Sequence, residues 1–258
     1  MPFRLIARLD VKGPNLVKGI HFEGLRVMGD PHDHAVRYAQ DGADELLYVD
    51  IVASLYGRNS LLDVVERTAR DIFIPITVGG GIRSVDDIRA ALRAGADKVA
   101  INTAAVKDPS FISEAARVFG SQCIVINVEA QKRRDGSWEA YTDNGRERTD
   151  VDAVGWAIRA AELGAGELLV TAVDHEGTRK GYDLDLTRRI ATAVPIPVIA
   201  CGGGGSVEHV VSVVRAGKAD AVAVASLLHY GIASIGSIKG ALAEQGVRVR
   251  RTEPLTAA

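Results

Sequence analysis

The sequence predicts an α/β fold, a (β/α)8 barrel made of two similar halves, and three observations carry that expectation. Short β-branched runs alternate with amphipathic segments along the chain, there are eight such runs, and the second half of the sequence repeats the first. The runs fall at 4–11, 45–51, 74–78, 98–101, 123–128, 167–172, 197–201 and 219–224. Between them lie segments such as 31–40, 61–70, 85–94 and 152–163, whose apolar residues recur at three- and four-residue spacing, the period of a helix with one buried face. Strand and helix in alternation imply parallel strands, because a crossover helix returns the chain to the same end of the sheet. A length of 258 residues suits one barrel of this kind.

The repeat favours closure over an open sheet. Gly42-Ala43-Asp44-Glu45-Leu46-Leu47 matches Gly164-Ala165-Gly166-Glu167-Leu168-Leu169, and TVGGGIRSVDDIRAALRAGAD at 77–97 parallels ACGGGGSVEHVVSVVRAGKAD at 200–220. Leu9-Asp10-Val11 ends the first strand as Val128-Glu129-Ala130 ends the fifth. The expected organisation is one barrel over 1–258, with halves of about 1–120 and 121–250 and a disordered polar tail at 251–258. Two segments break the pattern. Trp138–Thr142, between the turns KRRDGSW and TDNGRE, reads as a hairpin above the catalytic face, and 12–30 reads as a long loop carrying Lys18 that could act as a lid.

Composition excludes several classes. A net charge of -2 gives no basic field for nucleic acid, and no apolar stretch nears the roughly 18 residues of a membrane span. The first residues do not form a secretory signal. Cys123 and Cys201 supply neither a disulfide framework nor a metal quartet, which suits a reduced, cytoplasmic protein. No metal cluster, cofactor motif or nucleophile–histidine pair stands out, and His21, His175 and His229 read as loop or packing residues.

Glycine clusters follow the third and seventh strands, at Gly79-Gly80-Gly81 and Gly202-Gly203-Gly204-Gly205. Glycine lets the backbone approach a ligand and turn N–H groups toward an anion, and the next helix adds the positive end of its dipole. Asn102-Thr103 and Ala225-Ser226 end the neighbouring strands, four and eight. Two equivalent loops point to a small substrate with a phosphate at each end. Asp10 and Glu129, at equivalent strand ends, are the candidate general acid and base. At the opposite end, Arg4, Glu45, Lys98 and Glu167 start strands one, two, four and six, four charges that must pair or face water.

These residues resemble the cyclase subunit of imidazole glycerol phosphate synthase, from histidine biosynthesis. The likeness runs from Arg4 to about Arg250 and is most specific in LDVKGPNLVKG, GDP, ADELLYVDIVAS, TVGGGIRS, GADKVAINTAAV, FGSQCIVI, DHEGTRKGYD and the second glycine cluster. An isomerase of the same pathway shares the half-barrel repeat and the paired phosphate sites. The resemblance implies a lyase in which ammonia from a glutaminase subunit, docked around Asp97 and Lys98, enters at the N-terminal face and passes a gate of Arg4, Glu45, Lys98 and Glu167. It then attacks a phosphoribulosyl formimino carboxamide ribonucleotide, giving imidazole glycerol phosphate and an aminoimidazole carboxamide ribonucleotide. Asp10 and Glu129 take the catalytic positions. Gly81, Asn102 and Thr103 fall at one phosphate site and Gly203 and Ser226 at the other, while Lys18, Thr171, Glu176 and Gly177 join the substrate-binding set.

Several positions depart from the family pattern: Glu129 and Glu176 stand where aspartate is usual, Arg8 where a small residue is, and Ile20 where a small hydroxyl residue is. Gly13-Pro14 replaces the usual Asp-Gly after Lys12. Changes grouped around one mouth keep two alternatives open. One is a paralogue that passes ammonia to an amidotransferase acting on a sugar for surface polysaccharide; the other is the single-chain phosphoribosyl sugar isomerase.

Overall fold

The computed structural model describes residues 2–53 and 61–250; the expected tail at 251–258 lies outside them. Eight parallel strands form the barrel, at Arg4–Lys12, Glu45–Asp50, Ile76–Gly79, Lys98–Ile101, Ile124–Lys132, Glu167–Ala172, Val198–Cys201 and Ala221–Val224. Each pairs with the next in parallel register, the eighth pairs with the first (Ala7↔Val224), and the fifth pairs with the sixth (Glu129↔Thr171). The ring is closed, a (β/α)8 TIM barrel. Strands three and seven begin one residue after Pro75 and Pro197, which have no N–H to give the ladder.

Period-2 alternation divides each strand between two environments. Ile6, Leu47, Val49, Ala100, Val125, Leu169, Ile199, Cys201, Ala221 and Ala223 pack inside the barrel. Leu5, Leu9, Leu46, Val99, Ile126, Leu168 and Val222 face the surrounding helices. Arg4, Arg8 and Asp10 share the phase of Ile6, so the inward face of strand one is charged at both ends. The outer helices are set by local signals. Asp30, Ser84, Asp152, Asp183, Ser206 and Ser234 cap them by accepting N–H bonds, each cap worth about 1 kcal/mol. Ser206 directly follows the second glycine cluster, and Ser84 lies three residues after the first. Among the described residues no helix is long and apolar enough to cross a membrane.

Residues 12–30 are not an irregular loop. They fold as an antiparallel hairpin of Asn15–Ile20 and Glu23–Gly29, reversed at His21 and Phe22 with φ of 51° and 61°. That turn normally uses Asn-Gly, so the sequence carries no hairpin signal here. Phe22 and Val17 bury themselves against the barrel interior, and the His21 N–H donates to Glu176 O at 2.9 Å, closing the hairpin over the mouth. Strand five continues past the rim and pairs with Trp138–Thr142, which pairs in turn with Glu147–Asp152. The turn between those two places Asp143, Asn144 and Gly145 over the mouth, with Asn144 Nδ2 donating to Ile51 O at 2.8 Å.

Candidate functional site at the C-terminal mouth

The two glycine clusters make similar loops with dissimilar cavities. At Gly80 (φ 87°) a Cβ would lie 2.2 Å from Asp50 O, and at the repeat-equivalent Gly203 (φ 101°) it would lie 2.0 Å from Gly181 O. Only glycine fits either place. The first loop borders a cavity of about 270 Å3, walled by Gly81, Arg83, Asn102, Thr103, Lys107, Asn127 and Glu129 with Asp143 and Asn144 above. The second borders only about 20 Å3, filled in by Arg8, Glu176, Tyr182 and Cys201 and lined also by Gly177, Gly203 and Ser226.

Strand one brings Arg8 and Asp10 to the same face, and they pair: Nε to Oδ1 is 2.8 Å. Arg8 is 1% exposed, reaches Cys201 Sγ at 3.0 Å, and lies under the Phe22 ring. Lys18, from the hairpin, bonds Asp10 Oδ2 at 3.2 Å and pairs closely with Glu176. Burial alone would raise the pKa of Asp10; Arg8 and then Lys18 outweigh it and hold the group at about 2. Asp10 is sealed by these partners and lines neither cavity.

Glu129 has the opposite surroundings. Its Oε2 accepts the Gly145 N–H at 2.9 Å and its Oε1 accepts from Asn127 Nδ2 at 3.0 Å, on the wall of the large cavity. Burial pushes its pKa up to about 7, against the pull of the Gly145 N–H, Arg8 and Asn127. Of the remaining expected residues, Asn102 donates to Tyr141 O at 3.1 Å while its buried Oδ1 has no partner, and Thr103 meets Asp143. Thr171 lines neither cavity and gives its hydroxyl to Asn127 Oδ1 at 3.0 Å. Gly177 (φ 72°) is the point where the backbone of Gly19 crosses, 2.2 Å from where a Cβ would stand. His21 and His175 hold backbone carbonyls, and His229 stacks on Tyr38 with its Nδ1 2.8 Å from the phenol oxygen.

Asn127 and the Asp143–Gly145 turn are the site residues the sequence reading missed. A signal existed for the first: Asn127 is a polar residue at an inward position, two before Glu129. At the other end of the barrel, Arg4 Nη1 meets Glu45 at 2.7 Å, Lys98 meets Glu45 at 2.9 Å and Glu167 at 3.1 Å, and Arg4 meets Glu167. The four close a cycle of ion pairs. Asp97 is engaged separately, capping the Ile76 N–H at 2.8 Å. Among the described residues no group of three or more His, Cys, Asp or Glu could hold a metal ion.

Residues 4–234 match the model of the histidine biosynthesis protein family. The chain is 61% identical over 206 residues to an imidazole glycerol phosphate synthase subunit HisF of Legionella pneumophila, covering 80% of this chain and 97% of that protein. It is 52% identical over 248 residues to the subunit of the same name from Myxococcus xanthus strain DK1622, covering 96% of this chain and 97% of that protein. A family match over most of the chain, on a closed barrel with a paired set of glycine loops, has one reading: the chain belongs to the histidine biosynthesis protein family.

Proposed function

We propose that the protein is the cyclase subunit of an imidazole glycerol phosphate synthase, a lyase of histidine biosynthesis acting in the cytoplasm with a glutaminase subunit. Relatives that bear that subunit name support it at 52–61% identity. The substrate is the formimino carboxamide ribonucleotide, its phosphates at the two glycine loops. Attack by ammonia needs a proton removed from nitrogen, and cleavage needs one delivered to the leaving nitrogen. The observation that carries the chemistry is Glu129: a carboxyl with a pKa of about 7 on a cavity wall can take and return protons near neutral pH. Asp10, kept anionic by Arg8 and Lys18, holds charge in place without exchanging it.

The glutaminase docks on the N-terminal face, where the Arg4–Glu45–Lys98–Glu167 cycle gates ammonia. Phe73, 94% exposed just before strand three, offers that partner an apolar contact on the same face. Purified protein supplied with the formimino ribonucleotide and ammonium salt at alkaline pH is expected to consume substrate. Absence of turnover, unrestored by Glu129→Asp, counts against the cyclase.

One observation favours a second reading. Arg8, paired with Asp10, fills the second cavity and leaves about 20 Å3. A barrel that conducts ammonia to a sugar amidotransferase needs its gate and its partner but not an open second phosphate site. That protein would fail the assay above while still binding a glutaminase. The isomerase has no use for a gate, and the closed cycle of ion pairs argues against it.

A further inference from the structure

Asn127 and Arg8 occupy equivalent places in the two halves, each two residues before a strand-end carboxylate on the same inward face. Where strand one puts a cation, strand five puts an amide. Asn127 lies beside Leu169 in register, one layer below Glu129 and one above Glu167 of the charged cycle. It is 7% exposed and lines the floor of the large cavity. A buried amide costs about 1–3 kcal/mol if it goes unbonded, so its place in an apolar barrel needs an account. Both ends are engaged: Oδ1 accepts from Thr171 Oγ1 and Nδ2 donates to Glu129 Oε1, each at 3.0 Å.

We propose that Asn127, itself held by Thr171, is a positioning residue that fixes the carboxyl of Glu129 above the floor of the cavity, on the side facing the ammonia gate. A glutamate has one more rotatable bond than an aspartate, and an oriented donor beneath it removes that freedom. The Gly145 N–H grips the other oxygen, so the carboxyl is clamped from below by the barrel and from above by the hairpin turn. A donor to the carboxylate also favours its ionised form, which keeps it available as a base. The charged groups that face Glu129 are Arg8 from strand one and Asp143 from the turn, with Asp50, Arg83 and Lys107 on the same cavity wall. Among these partners Asn127 is the one on strand five itself.

The inference uses the cyclase reading for its reaction but not for its geometry, and the experiment separates the two. The full chain, labelled with 13C at glutamate carboxyls, is titrated by NMR without ligand, and Glu129 is assigned from Glu129→Gln. Asn127→Leu is expected to move the Glu129 midpoint up by about one unit, and Thr171→Val to move it the same way by less. Asn127→Ser, which keeps a donor, is expected to recover part of the shift. In the ammonium assay, corrected for free ammonia, the acid limb of kcat moves with that midpoint, a loss of about tenfold below it, while KM stays within about twofold. A lower melting temperature with an unmoved midpoint in both Asn127→Leu and Thr171→Val overturns the proposal. If Asn127→Leu does not fold, Thr171→Val and Asn127→Ser decide it alone. A moved midpoint in a wild-type protein without turnover upholds the positioning role and removes the cyclase reading.

Discussion

The two halves of this barrel carry the same loop and the same strand end, yet one carboxylate is locked and the other is free to titrate. Gly80 and Gly203 make equally close backbone approaches, so the scaffold is repeated faithfully. The side chain two residues before each carboxylate is not: Arg8 beneath Asp10, Asn127 beneath Glu129. At Asp10 a guanidinium and an ammonium outweigh burial and hold the group at about 2, whereas at Glu129 burial outweighs the Gly145 N–H, Arg8 and Asn127 and leaves the group at about 7. The same substitution closes the second cavity, since Arg8 extends across it to Cys201. Arg8, with Lys18, therefore sets the acidity of Asp10 and fills the space on its side of the mouth, while Asn127 leaves its side open.

The largest test of this asymmetry is catalytic. Glu129→Gln is expected to lower kcat by on the order of 10²–10⁴ with little change in KM, and Asp10→Asn to lower it less. Equal losses in steady-state assays would mean that both carboxylates exchange protons, and the comparison would break. Next in size, Arg8→Asn gives strand one the side chain of strand five. Denaturant unfolding is expected to show a loss of about 3–5 kcal/mol, because Asp10 loses a buried partner. In the same variant the Asp10 midpoint, followed by 13C NMR, is expected to rise toward ordinary carboxylate values.

The smallest effect is in stability against pH, and the two groups have opposite signs. The folded pKa of Asp10 lies below 3.8, so its pairing contributes about 2 kcal/mol above pH 4 that is lost as pH falls toward 2. The folded pKa of Glu129 lies above 4.5, so folding loses stability as pH rises from 4.5 through about 7. Melting temperatures of Asp10→Asn and wild type should converge in acid. Those of Glu129→Gln should gain on wild type from pH 5 to pH 8, and parallel curves would contradict a raised folded pKa for the buried Glu129.

Much of this was legible in the sequence. The eight strands were, because β-branched runs bounded by glycine and proline leave little freedom of assignment, and both carboxylates were, because the repeat aligns them. The hairpin at Asn15–Gly29 was not, since His21 and Phe22 take a left-handed turn that their identities disfavour. Arg8 was visible as an oddity but its partners were not: Cys201 is far along the chain, and Phe22 arrives only because the hairpin folds over. Asn127 shows the limit most plainly. Its spacing from Glu129 is visible in the sequence, but Thr171 and the cavity that give the amide a purpose come from barrel closure.

The cycle at the N-terminal end has a consequence of its own. Two cations and two anions in alternation around a ring sum to no net charge, and the field of such a quadrupole dies away over a few ångströms. The ring itself therefore neither draws in nor repels an approaching ion until contact, so what it admits is decided there, by size and by which pair opens first.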